Sequence, residues 1–301
     1  MGLQEPYMKL LNFGSLNLDY TYHVDHFVRP GETEASASRS FACGGKGLNQ
    51  SVALAKSGAE VWHAGAVGKL DGGILLKTLN AAGVNTELVA QLEDIPSGSA
   101  FIQVVPEGEN SIVLDGGANQ AITREYISSV LSHFVYGDWL ILQNEISELP
   151  YLIEKAHDAG MKIILNPSPM NRSVWKMPLG YVDIFLLNEE EAAELSDHAE
   201  DPLAELARRY PRALIVITLG AKGSIAIEDG IRYHQNAYPA NPVDTVGAGD
   251  TFTGFLIGSL AEGVPLQDAM RLAAKAAAIS VTRKGASTSI PELREVIAAL
   301  A

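Results

Sequence analysis

Cysteine is almost missing from this chain: Cys43 is the single one in 301 residues, which excludes an internal disulfide and any all-cysteine metal site. That usage fits a reducing compartment. Long apolar runs are missing too, since no uncharged stretch reaches the roughly 18 residues that a bilayer span needs. The opening residues, Met1-Gly2-Leu3-Gln4-Glu5-Pro6-Tyr7-Met8-Lys9-Leu10, lack the basic-then-apolar order of a secretory signal. Together these absences predict a cytoplasmic protein with no membrane partner. Basic charge is scarce: 22 Lys and Arg stand against 36 Asp and Glu, a net charge of -14. The densest basic spots, Arg208-Arg209 and Arg283-Lys284, are too small to track a phosphate backbone, so no nucleic-acid partner is expected. The histidines His23, His26, His63, His133, His157, His198 and His234 show no zinc-ligand spacing and read as ordinary surface or lid residues. Cys43 reads as packing, and Trp62, Trp139 and Trp175, near strand patterns, as buried.

What is present is an ordinary globular composition, 47% hydrophobic and 19% charged. Short β-type runs (Lys9–Phe13, Val61–Ala64, Asp138–Leu142, Lys162–Leu165, Asp183–Leu187, Leu214–Thr218) alternate with helical patterns. Lys46–Lys56 ends at Gly58, Asp71–Ala82 starts on an acid, and Ser147–Ala159 starts on a capping-type serine. The last third reads as three helices, Gly247–Glu262, Leu266–Arg283 and Pro291–Leu300. Alternation of this kind predicts an α/β fold, a doubly wound and mostly parallel sheet flanked by helices, in one unit spanning residues 1–301. Two segments, about 19–42 and 97–114, break the alternation. They are rich in Thr, Ser, Val and Phe with turns at Pro30-Gly31 and Glu107-Gly108, and predict a small β-flap that serves as a lid.

The strongest motif is Asp244-Thr245-Val246-Gly247-Ala248-Gly249-Asp250, followed at once by an apolar helical run. Gly247 and Gly249 allow a tight turn whose N–H groups point outward at the positive end of the helix, an anion hole. Asp250 in the first turn then sets a carboxylate base beside bound phosphate oxygens, the two needs of phosphoryl transfer to an alcohol. Local chemistry leaves a plain turn with a capping acid as an equal reading. A second glycine turn, Gly44-Gly45-Lys46-Gly47-Leu48-Asn49, precedes a helix; it is not a P-loop, because Gly rather than Ser or Thr follows the lysine. A structural turn is the plainer reading, made less plain by the polar Lys46 and Asn49. Polar residues also follow several strands: Asn17 and Asp19, Glu145, and Asn188 with Glu191. Ligands bind at such strand ends in parallel sheets. No Gly-x-Gly-x-x-Gly follows the first strand, which argues against a dinucleotide-binding oxidoreductase.

Six segments in order, Gly14–Asp19, Gly44–Asn49, Asn188–Glu191, Thr218–Gly223, Asp244–Asp250 and Val281–Ala286, resemble the ribokinase-like (PfkB) carbohydrate kinases, over about residues 9–297. The resemblance implies an ATP-dependent sugar kinase acting on a primary hydroxyl, with ribose to ribose 5-phosphate first among substrates. It implies Asp250 as base with Gly247, Ala248 and Gly249 as anion hole, and Asn17, Asp19, Gly45, Lys46, Asn49 and Glu145 around the sugar. It further implies Asn188, Thr218, Gly220 and Gly223 near the nucleotide, and Glu191 holding Mg²⁺ through water. Asp244, Val246, Ser280, Arg283, Gly285 and Ser289 match a monovalent-cation site, K⁺ in the family, and the flap matches a lid that forms a homodimer. Other free sugars, sugar acids, nucleosides, and a catalytically silent sugar-binding protein remain alternatives. The chain departs from the family pattern at Phe255, at Lys69, where an acid is expected, and in the short stretch between Glu191 and Leu214.

Overall fold

The computed structural model describes residues 8–301, so most of the opening segment read above as free of a secretory signal lies outside the described residues. Nine strands form the main sheet: β1 (Leu10–Phe13), β4 (Val61–Gly68), β5 (Asn85–Leu92), β8 (Trp139–Gln143), β9 (Lys162–Asn166), β10 (Ile184–Asn188), β11 (Leu214–Thr218), β12 (Ser224–Glu228) and β13 (Ile231–Gln235). Their order is β13-β12-β11-β10-β9-β8-β1-β4-β5. Pairing is parallel from β5 to β11, while β12 and β13 extend the edge antiparallel. The sequence pattern missed β5, β12 and β13: β5 and β13 are the partly buried edges of the sheet, and β12, though largely buried, is short and shows no clear alternation.

Alternate residues along the central strands feed two cores. Leu140, Leu142, Ile163 and Leu165 face one way with α3 (Arg124–Leu131), α4 (Leu149–Asp158), α5 (Glu189–Leu195) and α6 (Pro202–Arg209). Ile141, Ile164, Leu186 and Val216 face the other way with α1 (Lys46–Lys56), α2 (Gly73–Ala81), α7 (Ala248–Ala261), α8 (Leu266–Ser280) and α9 (Leu293–Leu300). A period of two with both faces apolar is what a sheet covered on both sides demands. The stretch after Glu191, though short, holds α5 and α6.

A second, four-stranded sheet has the order β3-β2-β6-β7 and is built from β2 (Asn17–His23), β3 (Ser38–Gly44), β6 (Gly98–Val104) and β7 (Asn110–Asp115). It contains both flap segments. Phe41, Tyr20, Phe101 and Val113 are register neighbours across its strands, and Tyr20 stacks on Phe101 with ring centroids 5.5 Å apart.

Several local expectations need correction. Ser147 does not cap α4; its hydroxyl donates to Ile122 O, and Glu148 takes the cap position at φ 59°. Asp71 does not start α2 but accepts from Ser97 N and Oγ, tying the end of β4 to the entry of β6. Trp175 is exposed, and Trp62 and Trp139 are half-buried. His63 is no surface residue: it is fully buried on β4, its Nδ1 2.7 Å from Ser51 Oγ, and burial pushes its imidazole down to about 3, so it is neutral. At the surface His26 Nε2 pairs with Glu32 at 2.9 Å, with Glu34 close enough to complete a three-ligand group. Cys43 is half-buried and accepts from Thr78 Oγ1 at 3.3 Å, in keeping with packing. Lys69 finds its counter-charge in exposed Glu93.

Candidate active site

Successive strands step outward from the β1/β8 boundary in both directions, β1-β4-β5 one way and β8-β9-β10-β11 the other. Crossovers therefore diverge there, opening a crevice at the carboxyl strand ends. The strand-end residues converge on it. Asn17 and Asp19 follow β1, Glu145 follows β8, and Asn188 and Thr218 are register partners at the ends of β10 and β11.

The Gly44–Asn49 turn is held by tertiary contacts rather than by a cap of its own. Gly45 stands at φ 90° ahead of α1 and offers no side chain to the free N–H groups there. Glu145 accepts from Lys46 N at 2.9 Å, Ser15 Oγ from Gly47 N at 3.2 Å, and Ser15 O from Leu48 N at 2.9 Å. Ser15 also donates to Glu145. A Cβ on Gly47 would lie 2.3 Å from Ser15 N, so only glycine allows this approach. The turn is thus more than structural: it fixes Lys46, Glu145 and Asn17 on one side of the crevice. Asn17 accepts from Asn119 at 2.7 Å. Burial, and then the nearby Glu145 carboxylate, push the Asp19 carboxyl up from 3.8 to about 7.

Gly247, at φ 75°, caps α7, leaving the N–H groups of the first turn directed out of the helix end. Asp250 lies in that turn, 7% exposed, accepting from Asn49 Nδ2 at 3.1 Å on one oxygen and from Gln50 Nε2 at 3.0 Å on the other. Asn49 Oδ1 is buried with no partner among the described residues. Burial lowers the Lys46 ammonium, but the carboxylates of Asp250, Glu145 and Glu191 outweigh it and leave its pKa raised, so the lysine stays charged. Lys46, Gly247, Gly249 and Asp250 line one cleft with Asn188, Glu191 and Thr218.

On the far side, Asn188 and Glu191 form a reciprocal capping box on α5, which occupies one Glu191 oxygen and leaves the other for the cleft. A carboxylate oxygen lining the same cleft as Gly247 and Gly249 is the donor type magnesium takes, so Glu191 fits that ion. Gly220 and Gly223 do not line this cleft; they belong to the β11–β12 turn, where Gly223 adopts φ 102°. Asp244 accepts from Val246 N and Gly285 N, and Val281 O accepts from Val243 N, so the two segments expected to hold a monovalent cation are joined. The Ser280 and Ser289 hydroxyls donate to Ala277 O and Ala286 O, and Arg283 pairs with Glu295 at 2.7 Å. Any cation there would rest on Asp244 and main-chain oxygens, an oxygen-only set suited to a hard ion.

Several residues of the site escaped the sequence reading. Ser15, Asn119, Gln50, Asn166, Ser168 and Thr253 all touch or line it. Asn166 ends β9, so the strand-end rule that found Asn188 reaches it too. Gln50 adjoins Asn49 but lies inside a helix, where no turn signal marks it. Phe255 is fully buried, and Gly254 brings α7 onto α1 at Ala53.

The sequence model described as "pfkB family carbohydrate kinase" matches residues 8–293. The chain is 36% identical to the ribokinase of Bacillus subtilis over 293 residues, 94% of this chain and 96% of that protein. It is 34% identical to the ribokinase of Haemophilus influenzae over 293 residues, 94% and 95% of the two chains. The Arabidopsis thaliana ribokinase solved with ribose and ATP superposes with a TM-score of 0.85 at 28% identity, over 97% of this chain and 98% of that one. Helices on both faces of a mostly parallel sheet, the crevice at its switch point and these likenesses lead to one conclusion: this chain belongs to the pfkB family of carbohydrate kinases.

Proposed function

We propose that this kinase transfers the γ-phosphoryl group of ATP to the primary hydroxyl of free ribose, giving ribose 5-phosphate. The observation that carries the reading is Asp250, gripped by Asn49 and Gln50 and set in the first turn of α7 beside its N–H groups and charged Lys46. Asp250 takes the hydroxyl proton, the freed oxygen attacks the γ-phosphorus in line, and ADP leaves. The N–H groups at Gly247–Gly249 and the Lys46 ammonium stabilise charge on the transferring oxygens. Asn17, Asp19, Gly45, Asn49 and Glu145 hold sugar hydroxyls; the unpartnered Asn49 Oδ1 is an acceptor that a sugar O–H satisfies. This neutral-to-acidic set disfavours a sugar that already carries phosphate. Asn188, Thr218, Gly220 and Gly223 attend the nucleotide.

Glu191 would hold Mg²⁺ through water, and that ion supplies charge neutralisation on the phosphates. Asp244, with main-chain oxygens at Val246, Ser280, Arg283, Gly285 and Ser289, would hold a monovalent cation that steadies the turn before α7. The second sheet acts as a lid over the sugar, with the body of residues 1–301 working as one unit. Its outer row exposes Phe41, Phe101 and Val113, at 41%, 44% and 64%, and supports a homodimer through the lid. Among the described residues no helix is long and apolar enough to cross a membrane, and we assign the enzyme to the cytoplasm on its scarce cysteine.

The test is ADP release across free sugars, sugar acids and nucleosides, with Asp250→Asn as control. Ribose should give the highest kcat/KM, and the variant should bind ribose yet lose turnover. Near-normal turnover in the variant would sink the base assignment. Ribose binding with no ADP release from any substrate would mark a silent binding protein.

A further inference from the structure

A chain of buried carboxamides runs from the first strand to Asp250, and its direction is dictated from both ends. Asn12 is fully buried and donates from Nδ2 to the carbonyl oxygen of Gly47 at 2.8 Å. A carbonyl can only accept, so Asn12 must turn its Oδ1 toward Gln143, which donates to it at 2.9 Å. The other hydrogen on Gln143 Nε2 goes to Gln50 Oε1 at 2.7 Å. With its oxygen so engaged, Gln50 must present both hydrogens the other way, to Asp250 Oδ1 at 3.0 Å and Asn166 Oδ1 at 3.1 Å. Asn166 is locked in the same sense, because its Nδ2 donates to Leu186 O at 2.9 Å. Two main-chain carbonyls, at Gly47 and Leu186, therefore force an N–H donor onto Asp250. No member can rotate its amide without setting oxygen against oxygen, and Asn12, Gln50 and Gln143 are at most 1% exposed. Gly14 leaves the room: a Cβ there would stand 2.2 Å from Gln143 Oε1.

We infer that Gln50, oriented by Gln143 and Asn12, is a positioning residue that holds the Asp250 carboxylate in the orientation needed to receive the hydroxyl proton. The inference rests on the reading of Asp250 as base. Asn49 grips the second oxygen, but it also faces the sugar; Gln50, at 0% exposure, does not line the cleft and reaches it only through the groups it holds, Asp250 and Asn166. Its effect should thus fall on turnover and spare sugar binding.

Gln50→Met removes the donor at similar volume. Its kcat should fall about 10- to 100-fold, the cost of a displaced reacting group, while ribose KM and calorimetric ribose affinity stay within about threefold. Gln143→Met does not touch Asp250, yet frees Gln50 to rotate and should lower kcat about 3- to 10-fold with KM again unchanged. The double variant should be no slower than Gln50→Met, because both act through the same N–H. Gln50→Glu keeps the shape but sets a second carboxyl against the base, and should not restore turnover. Wild-type kcat in Gln50→Met or in Gln50→Glu, additive losses in the double variant, or losses in ribose affinity equal to those in kcat would each overturn the inference. If Gln143→Met does not fold, the Gln50 pair decides alone. Asp250→Asn separates the two readings: if it keeps turnover the base assignment fails, whereas if it is dead and Gln50→Met is unimpaired, only the positioning role fails.

Discussion

Acidification should weaken this enzyme's capture of sugar through a single carboxyl. Asp19 sits on β2 facing the crevice, close against the Gly44 backbone, where a Cβ would fall 1.9 Å from its Oδ2. Burial and the Glu145 charge raise it from 3.8 to about 7. As an acceptor of sugar hydroxyls it serves best ionised. With a titration near 7, roughly nine-tenths of the enzyme is in that form at pH 8 and roughly one-tenth at pH 6. Ribose kcat/KM, which reports groups of the free enzyme, should fall about tenfold between those values. Asp19→Asn should lower kcat/KM at pH 8 and flatten the profile between pH 6 and 8. The same residue leaves a mark on stability. The folded chain holds a proton from about 4 to about 7 that the unfolded chain releases near 3.8, so its contribution to stability falls as pH rises through that window. Steady-state kinetics with saturating ATP, beside thermal unfolding from pH 4 to 8, tests both. A flat wild-type kcat/KM profile, or an Asp19→Asn profile that keeps the same acid limb, would refute the reasoning.

Three further outcomes follow from the geometry. Gly47→Ala should destabilise the fold by about 1–3 kcal/mol, because its new methyl meets main chain with nowhere to move, while Gly73→Ala, where nothing lies within 4 Å, should be neutral or stabilising; thermal melts of the pair read the contrast. Asp244→Asn removes the one carboxylate joining Val246 N to Gly285 N; on the proposed cation site, potassium salts should stimulate the wild type and not the variant while ribose binding persists, as an ion-titrated ADP assay would show. Val113→Glu places charge in the exposed row of the second sheet; on the proposed dimer through the lid, wild type should sediment as a dimer and the variant as a monomer.

Much of the fold was legible in residue order. The apolar runs within Leu10–Phe13, Lys162–Asn166 and Leu214–Thr218 are strands because both faces of the sheet are covered, which makes them mostly apolar on both sides. Asp250 and its glycines were legible for a local reason: a left-handed cap at Gly247 and the helix end behind it are encoded within a few residues. The antiparallel strands β12 and β13 were not, because five-residue strands with burial patterns this irregular, β13 lying exposed at the sheet edge, show no clear alternation. Nor was the burial of His63, a polar residue whose place in the core depends on Ser51 arriving from α1.

Chain order alone thus determined the class of fold, the strand ends that carry polar residues, and the glycine turn that sets Asp250 in the first turn of a helix, since each is a matter of local pattern. Tertiary structure decided what those residues are to one another. Glu145 and Ser15 cap a helix about a hundred and about thirty positions away, respectively, and Gln50 reaches Asp250 across 200 positions. The polarity of the amide chain behind the base is set by two carbonyls that no sequence pattern marks. Hydrogen-bond direction depends on which groups meet, and only the packed sheet brings them together.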